Sequence, residues 1–221
     1  MSQRERIDRD GIRHDDVSYD LAASHLFVYA DDREELAPFQ EPVLLHSNNP
    51  HERLYIAAFD GTGNDKFHDP GHETNVGLIS DQIEALKSAE NSKVGGDYVE
   101  GPGTQQHAPL THLLDGMYGY TVDERAEQMY KLFIEQAWKW KQLDPDAQIR
   151  VASIGFSRGG EEVALFARMV EERGIQNPSG AQYTYDSHHQ IKYVEYTKPA
   201  LTGPHQVAQA VAMFDPVGTG S

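Results

Sequence analysis

The sequence predicts an α/β fold, a parallel sheet with helices on both faces. Three observations lead there. Short apolar runs alternate with segments of helical period from residue 54 to residue 215, as βαβ units do. The runs stop at Asp-Gly or glycine-rich turns, which punctuate strands at their carboxyl ends. One run, residues 149–155, passes straight into a helical pattern through Gly155-Phe156-Ser157-Arg158-Gly159. Right-handed crossovers between parallel strands then place the intervening helices on the faces of the sheet.

Residues 1–50 are charged, with scattered apolar residues, and read as an N-terminal extension; residues 51–221 read as one domain. In that domain the first strand is 54–59, ending at Asp60-Gly61. "TNVGLISDQIEALK" follows as a helix with Val76, Ile79, Ile83 and Leu86 on one stripe. "DYVEGPGT" is a short strand that breaks at Gly101-Pro102-Gly103. The clearest helix is "TVDERAEQMYKLFIEQAWKWKQL", with a capping box of Thr121 and Glu124 and a core-facing stripe of Ala126, Met129, Phe133, Ala137 and Trp140. A strand over 149–155 leads to a helix over 158–173, closed by Gly174 as its C′ residue. Residues 175–205 are polar and rich in tyrosine, with short strands expected at "AQYTYD" and "IKYVEYT". They read equally as a lid or acyl-chain rim and as a plain surface insertion.

The last strand, 207–214, is apolar on both faces and is expected at the centre of the sheet. Nothing after it would cover its outer edge. The domain is therefore expected to be C-terminally incomplete, completed by further chain or by a partner.

With 221 residues, 38% of them hydrophobic, the chain can bury one sizeable core. No stretch approaches the roughly 20 apolar residues of a bilayer span. The start, "MSQRERIDRDGIRHDD", has no signal-peptide apolar core. The expectation is a protein made in the cytoplasm without a signal peptide, with a dedicated secretion machine left open. The absence of cysteine excludes disulfides, thiolate metal sites and a cysteine nucleophile. A net charge of 19 − 35 = −16 argues against a nucleic-acid partner and mainly serves solubility.

Ser157 is the residue these elements single out. It leaves a buried strand and enters a helix within one or two residues, a turn that only small neighbours such as Gly155 and Gly159 permit. Its hydroxyl would stand above the sheet at a helix N-terminus, where unpaired N–H groups favour negative charge. That makes Ser157 a nucleophile rather than a structural turn serine. The N–H of Arg158 would donate to the oxyanion. The Arg158 side chain is expected to pair with an acidic neighbour and fix the turn. Asp60-Gly61-Thr62 lies at the same carboxyl edge, where ligands of such sheets gather. The N–H groups of Gly61 and Thr62 are the second donors, and Asp60 ties down its own loop. An aspartyl-phosphatase reading of "FDGTG" fails, because its nucleophile would fall at Ala58.

"FDGTGND" (59–65), "TNV" (74–76), "YVEGPGT" (98–104), "GFSRGG" (155–160) and "FDPVG" (214–218) together resemble an α/β-hydrolase family. It is the domain-of-unknown-function family that includes the type VI secretion lipase effectors. The likeness runs from residue 53 to 218, roughly three quarters of the chain. It implies a serine esterase or lipase with a Ser–Asp–His triad, acting on acyl esters of phospholipids as a secreted antibacterial or anti-host effector. It implies Ser157 as nucleophile, Asp215 as the acid that orients the histidine, and the 60–62 loop beside the nucleophile. It calls for no metal and no cofactor. Its partners would be a phospholipid membrane surface as substrate and an immunity or secretion-apparatus protein. Two residues depart from the family pattern: Gly160 where alanine is usual, which is harmless, and Pro216 where threonine is common, which stiffens the loop after Asp215.

The triad histidine is the missing piece, since none follows Asp215 and the resemblance implies one beyond residue 221. His205 precedes the last strand and falls at the opposite edge of the sheet. His188 and His189 read as surface residues. His68, His72, His107 and His112 follow strands at the carboxyl edge, His107 being the best placed. The set His68, Asp69, His72 and Glu73 matches no metal-site spacing. The rival reading is a non-catalytic module of the same fold that binds a protein partner.

Overall fold

A computed structural model of the chain describes residues 6–7, 13–14, 43–61, 74–87, 92–101, 122–187 and 191–217. The chain divides into two compact units, 1–42 and 43–221, whereas the sequence places the division at residue 50. In the first unit, β1 (Arg6–Ile7) and β2 (Arg13–His14) pair antiparallel.

The second unit contains β3 (Glu52–Phe59), α1 (Asn75–Lys87), β4 (Val94–Val99), α2 (Val122–Leu143), β5 (Gln148–Phe156), α3 (Arg158–Arg173), a 3-10 turn (Pro178–Gly180), β6 (Ala181–Tyr185), β7 (Ile191–Tyr196) and β8 (Gln209–Phe214). Strands β4, β3, β5 and β8 form one parallel sheet in that order. The antiparallel hairpin β6–β7 stands apart from it.

Period-two alternation splits the strands between two helical layers. Tyr55, Ala57 and Phe59 of β3 and Val151 of β5 face α2 and α3 in the main core. Ala58 of β3 and Tyr98 of β4 turn the other way and bury Val76 of α1. Helices therefore cover both faces, as the sequence predicts.

In α2 the stripe Ala126, Met129, Phe133, Ala137 and Trp140 is buried, widened by Tyr130 and Ile134. The stripe on α1 is narrower than its pattern: Val76 and Ile83 are buried but Leu86 is exposed. α3 buries Val163, Phe166 and Val170 and ends at Gly174, whose φ of 66° and ψ of −137° lie in a region open to glycine. A Cβ there would lie 2.2 Å from the Thr202 carbonyl oxygen.

Among the described residues the outer edge of the last strand is uncovered, as the sequence predicts: β8 is the edge of the sheet, paired only to β5, and Val211, Met213 and Phe214 are exposed. Its apolar composition on both faces suits a central position. Composition does not determine whether a strand or helix is present to cover it. No described helix is long and apolar enough to cross a membrane.

Candidate active site

The site is built where β5 ends beside β8. Phe156 pairs with Phe214 in register, so Ser157 and Asp215 leave adjacent strands at the same carboxyl edge. Two backbone bonds clasp the turn: Ser157 N–H donates to Phe214 O at 2.9 Å, and Val217 N–H donates to Ser157 O at 3.0 Å.

Ser157 has φ 54° and ψ −118°, a conformation that costs a non-glycine residue about 1–3 kcal/mol. A serine at a helix N-cap ordinarily sits in the β region and caps the helix with its oxygen. Here the side chain makes no cap hydrogen bond. The strained backbone therefore does not serve to cap α3, and the Ser157 side chain stands at the head of that helix. Arg158 is the first residue of α3, so its N–H is among the four that the helix cannot bond internally.

Glycines make the close approach possible. A Cβ on Gly155 would fall 2.3 Å from Gly159 O, and one on Gly159 would fall 2.3 Å from Phe59 O and 2.9 Å from Asp60 O. The head of α3 thus rests directly on the end of β3. Gly160 faces the other side, where a Cβ would lie 2.8 Å from the Pro216 Cβ. The two departures from the family pattern are therefore one contact, and the glycine makes room for the proline.

Asp60 is buried and accepts from its own loop and from two other segments. Gly61 N–H donates to Oδ1 at 2.8 Å, the Thr74 hydroxyl reaches both oxygens at 2.9 Å, and Tyr98 OH donates to Oδ2 at 2.7 Å. Thr74 in turn caps α1 by accepting from Gly77 N–H at 3.1 Å. Gly61 N–H is thus spent inside its own loop. The other expected loop donor, Thr62, lies outside the described residues.

Asp215 is exposed and has φ 45°, the conformation of a non-glycine outlier, immediately before a proline that favours extended backbone in its neighbour. Arg158 is exposed, and the ion pair expected of its side chain is not found among the described residues. His205 donates its N–H to Glu171 O at 2.9 Å and meets Glu171 Oε1 through Nδ1 at 2.7 Å. Glu171 stands 14 residues along α3 from Ser157, about 20 Å of helix. His205 is therefore not beside the nucleophile. His68, His72, His107, His112, His188 and His189 lie outside the described residues, as do Asp69, Glu73 and Thr121.

Among the described residues one group, His51, Asp144 and Asp146, brings three metal-type ligands together. It lies at the amino edge of the sheet, and Arg53 Nη2 already meets Asp144 Oδ2 at 3.2 Å. The 175–205 region forms the β6–β7 hairpin, where Lys131 of α2 sits 4.9 Å from the Tyr183 ring centroid. A cavity of about 660 Å³ between α2, α3 and β7 is lined by Glu127, Met169, Arg173, Tyr193 and Tyr196, among others.

The sequence reading missed a buried ion pair behind the elbow. Arg125 Nε, in the first turn of α2, donates to Glu162 Oε1 of α3 at 2.7 Å, with both side chains essentially inaccessible. Burial dominates at Glu162 and pushes its carboxyl up to about 7 although Arg125 favours the charged form. A signal was present: Arg125–Met129–Phe133 and Glu162–Phe166–Val170 are each spaced by four, which puts both charges on core stripes.

No curated protein sequence matches the chain significantly. Among solved structures it is similar to an acetyl xylan esterase, seen as an iodinated complex, at 13% identity and a TM-score of 0.30, covering 74% of this chain and 62% of that one. It is also similar to RedJ, a thioesterase from the prodiginine biosynthetic pathway in Streptomyces coelicolor. That match has 20% identity and a TM-score of 0.29, covering 67% of this chain and 46% of the other. The chain thus spans about half to three fifths of those proteins. The family described as "T6SS, Phospholipase effector Tle1-like, catalytic domain" matches residues 53–213. This stretch includes the Asp60 loop, the strained serine and the helix it heads, and the chain belongs to that family.

Proposed function

We propose that this domain is a serine esterase that cleaves acyl esters of phospholipids; the family's description, which names a phospholipase effector, supports the substrate class. The observation that carries the reading is Ser157: φ 54°, no capping bond from its hydroxyl, and a place at the head of α3. A serine kept in that conformation without a capping bond is explained by exposing a nucleophile.

In this reading Ser157 Oγ attacks the ester carbonyl carbon, and a histidine takes the hydroxyl proton. Asp215, on the adjacent strand end, orients that histidine and stabilises its charged form. The oxyanion accepts from Arg158 N–H and from Thr62 N–H, Gly61 N–H being bound to Asp60. The leaving alcohol takes the proton back from the histidine, and water then releases the acid from Ser157. Delivery by a dedicated secretion system, with an immunity protein as partner, goes with the effector family.

The test is labelling of the full-length protein with a fluorophosphonate probe. Labelling at Ser157 that is lost in Ser157→Ala supports the enzyme. Absence of labelling, with the protein folded, removes it and leaves a partner-binding module. Assay on phospholipid vesicles against short-chain esters separates a phospholipase from a small-ester hydrolase.

A further inference from the structure

The first turn of α3 has almost no side chains to hold it. Gly159 and Gly160 must lack a Cβ, because the Phe59 and Asp60 carbonyls and the Pro216 ring occupy that space. Glu162 is the first buried side chain after the nucleophile, and its one hydrogen-bond partner among the described residues is Arg125. Neither residue is more than 1% exposed. The contact is a single bond rather than a two-pronged one: Arg125 Nη1 and Nη2 and Glu162 Oε2 find no partner among the described residues.

Stability does not account for such a pair. Taking both charges out of water costs more than one bond returns, and apolar residues of similar volume are typically neutral or stabilising in its place. An N–H···O bond of 2.7 Å supplies direction, which an apolar contact does not. An apolar patch lets a helix turn about its axis by a few degrees, whereas this bond does not.

We infer that Arg125 is a positioning residue for Ser157: through Glu162 it fixes the rotation of the first turn of α3, and with it the aim of the Ser157 hydroxyl and of the Arg158 N–H. The inference rests on the serine-esterase reading. Misplacement of a reacting group by about 1 Å is enough to cost about a hundredfold in rate.

The experiment uses the full-length protein and compares wild type, Arg125→Met/Glu162→Met, Glu162→Met and Glu162→Gln. Thermal melting, the rate of fluorophosphonate labelling at Ser157, and kcat and KM on a short-chain ester are measured for each. The double variant is expected to melt at or above the wild-type temperature and to keep its KM, while kcat and the labelling rate fall about ten- to a hundredfold. Glu162→Gln, which keeps an oxygen for Arg125 Nε, loses less than Glu162→Met. Undiminished labelling of the folded double variant overturns the inference, as do equal losses in Glu162→Gln and Glu162→Met. A wild type that does not label at Ser157 removes the serine-esterase reading itself, and this inference with it. A wild type that labels no faster than the double variant removes the inference alone.

Discussion

Ser157 carries the strain of the elbow in its own backbone. At φ 54° and ψ −118° a side chain is disfavoured whatever it is, so alanine at 157 would remove the hydroxyl and leave the strain. Glycine would remove both. Its greater freedom in the unfolded chain returns part of the gain, by roughly 0.5–1 kcal/mol. Ser157→Gly is therefore expected to be more stable than Ser157→Ala by about 1 kcal/mol, both being inactive. Urea denaturation followed by circular dichroism checks this. Equal midpoints would mean that the positive φ costs the chain little and that the turn is relaxed. Asp215 shares the signature at φ 45°, and Ser157 and Asp215 are clasped to one another's segments through Phe214 and Val217. Two of the three described non-glycine residues with positive φ thus stand on neighbouring strand ends, while the third, His205 at φ 60°, stands against Glu171 near the far end of α3.

At the level of elements, the close seat of α3 depends on pairs of residues that sequence position hides. Gly160 and Pro216 are 56 residues apart in the chain, yet a Cβ on the first would meet the ring of the second at 2.8 Å. Gly160→Ala should cost about 1–3 kcal/mol, because the rigid ring cannot yield. The same change in a Pro216→Thr background should cost less, since the loop after Asp215 can then shift. A double-mutant cycle read by chemical denaturation should show a favourable coupling of about 0.5–3 kcal/mol. Additive effects would mean that the two departures from the family pattern are unrelated. The elements themselves were legible because each carries its own period: the α2 stripe from Ala126 to Trp140 is buried as read, and α3 runs Arg158–Arg173 to its glycine. Illegible were the meetings between elements. Tyr98 and Thr74 converge on Asp60 from separate segments, and Arg125 finds Glu162 across two helices whose facing stripes are otherwise apolar.

At the scale of the whole molecule, the described carboxyls with shifted pKa values divide by position, and the division sets their share of how stability follows pH. Glu52, near the start of β3, is pulled upward by burial. His46 and Arg150 outweigh that and hold it below its usual value. Asp144 at the same edge is likewise lowered, its burial outweighed by His51, the Asp146 N–H and Arg53. Each lowered group stabilises the fold above its unfolded pKa, and that contribution is lost as pH falls through its folded value. Glu162 behind the elbow has the opposite sign. Its folded value of about 7 exceeds the unfolded 4.5, so its stabilising effect is complete below 4.5 and is lost as pH rises towards 7. Asp97, raised by burial beyond what Tyr55 and Lys87 offset, acts in the same direction. Through these groups stability should decline from mildly acid pH towards neutrality, with Glu162 contributing to the decline between its unfolded and folded values. Urea unfolding free energies measured from about pH 4 to 8 test the shape. Glu162→Gln, which cannot titrate, should flatten the decline above pH 5 while leaving the acid limb at Glu52 and Asp144 in place. A variant that keeps the full wild-type slope between pH 5 and 7 would show that Glu162 stays ionised across that range, with Arg125 outweighing the cost of its burial.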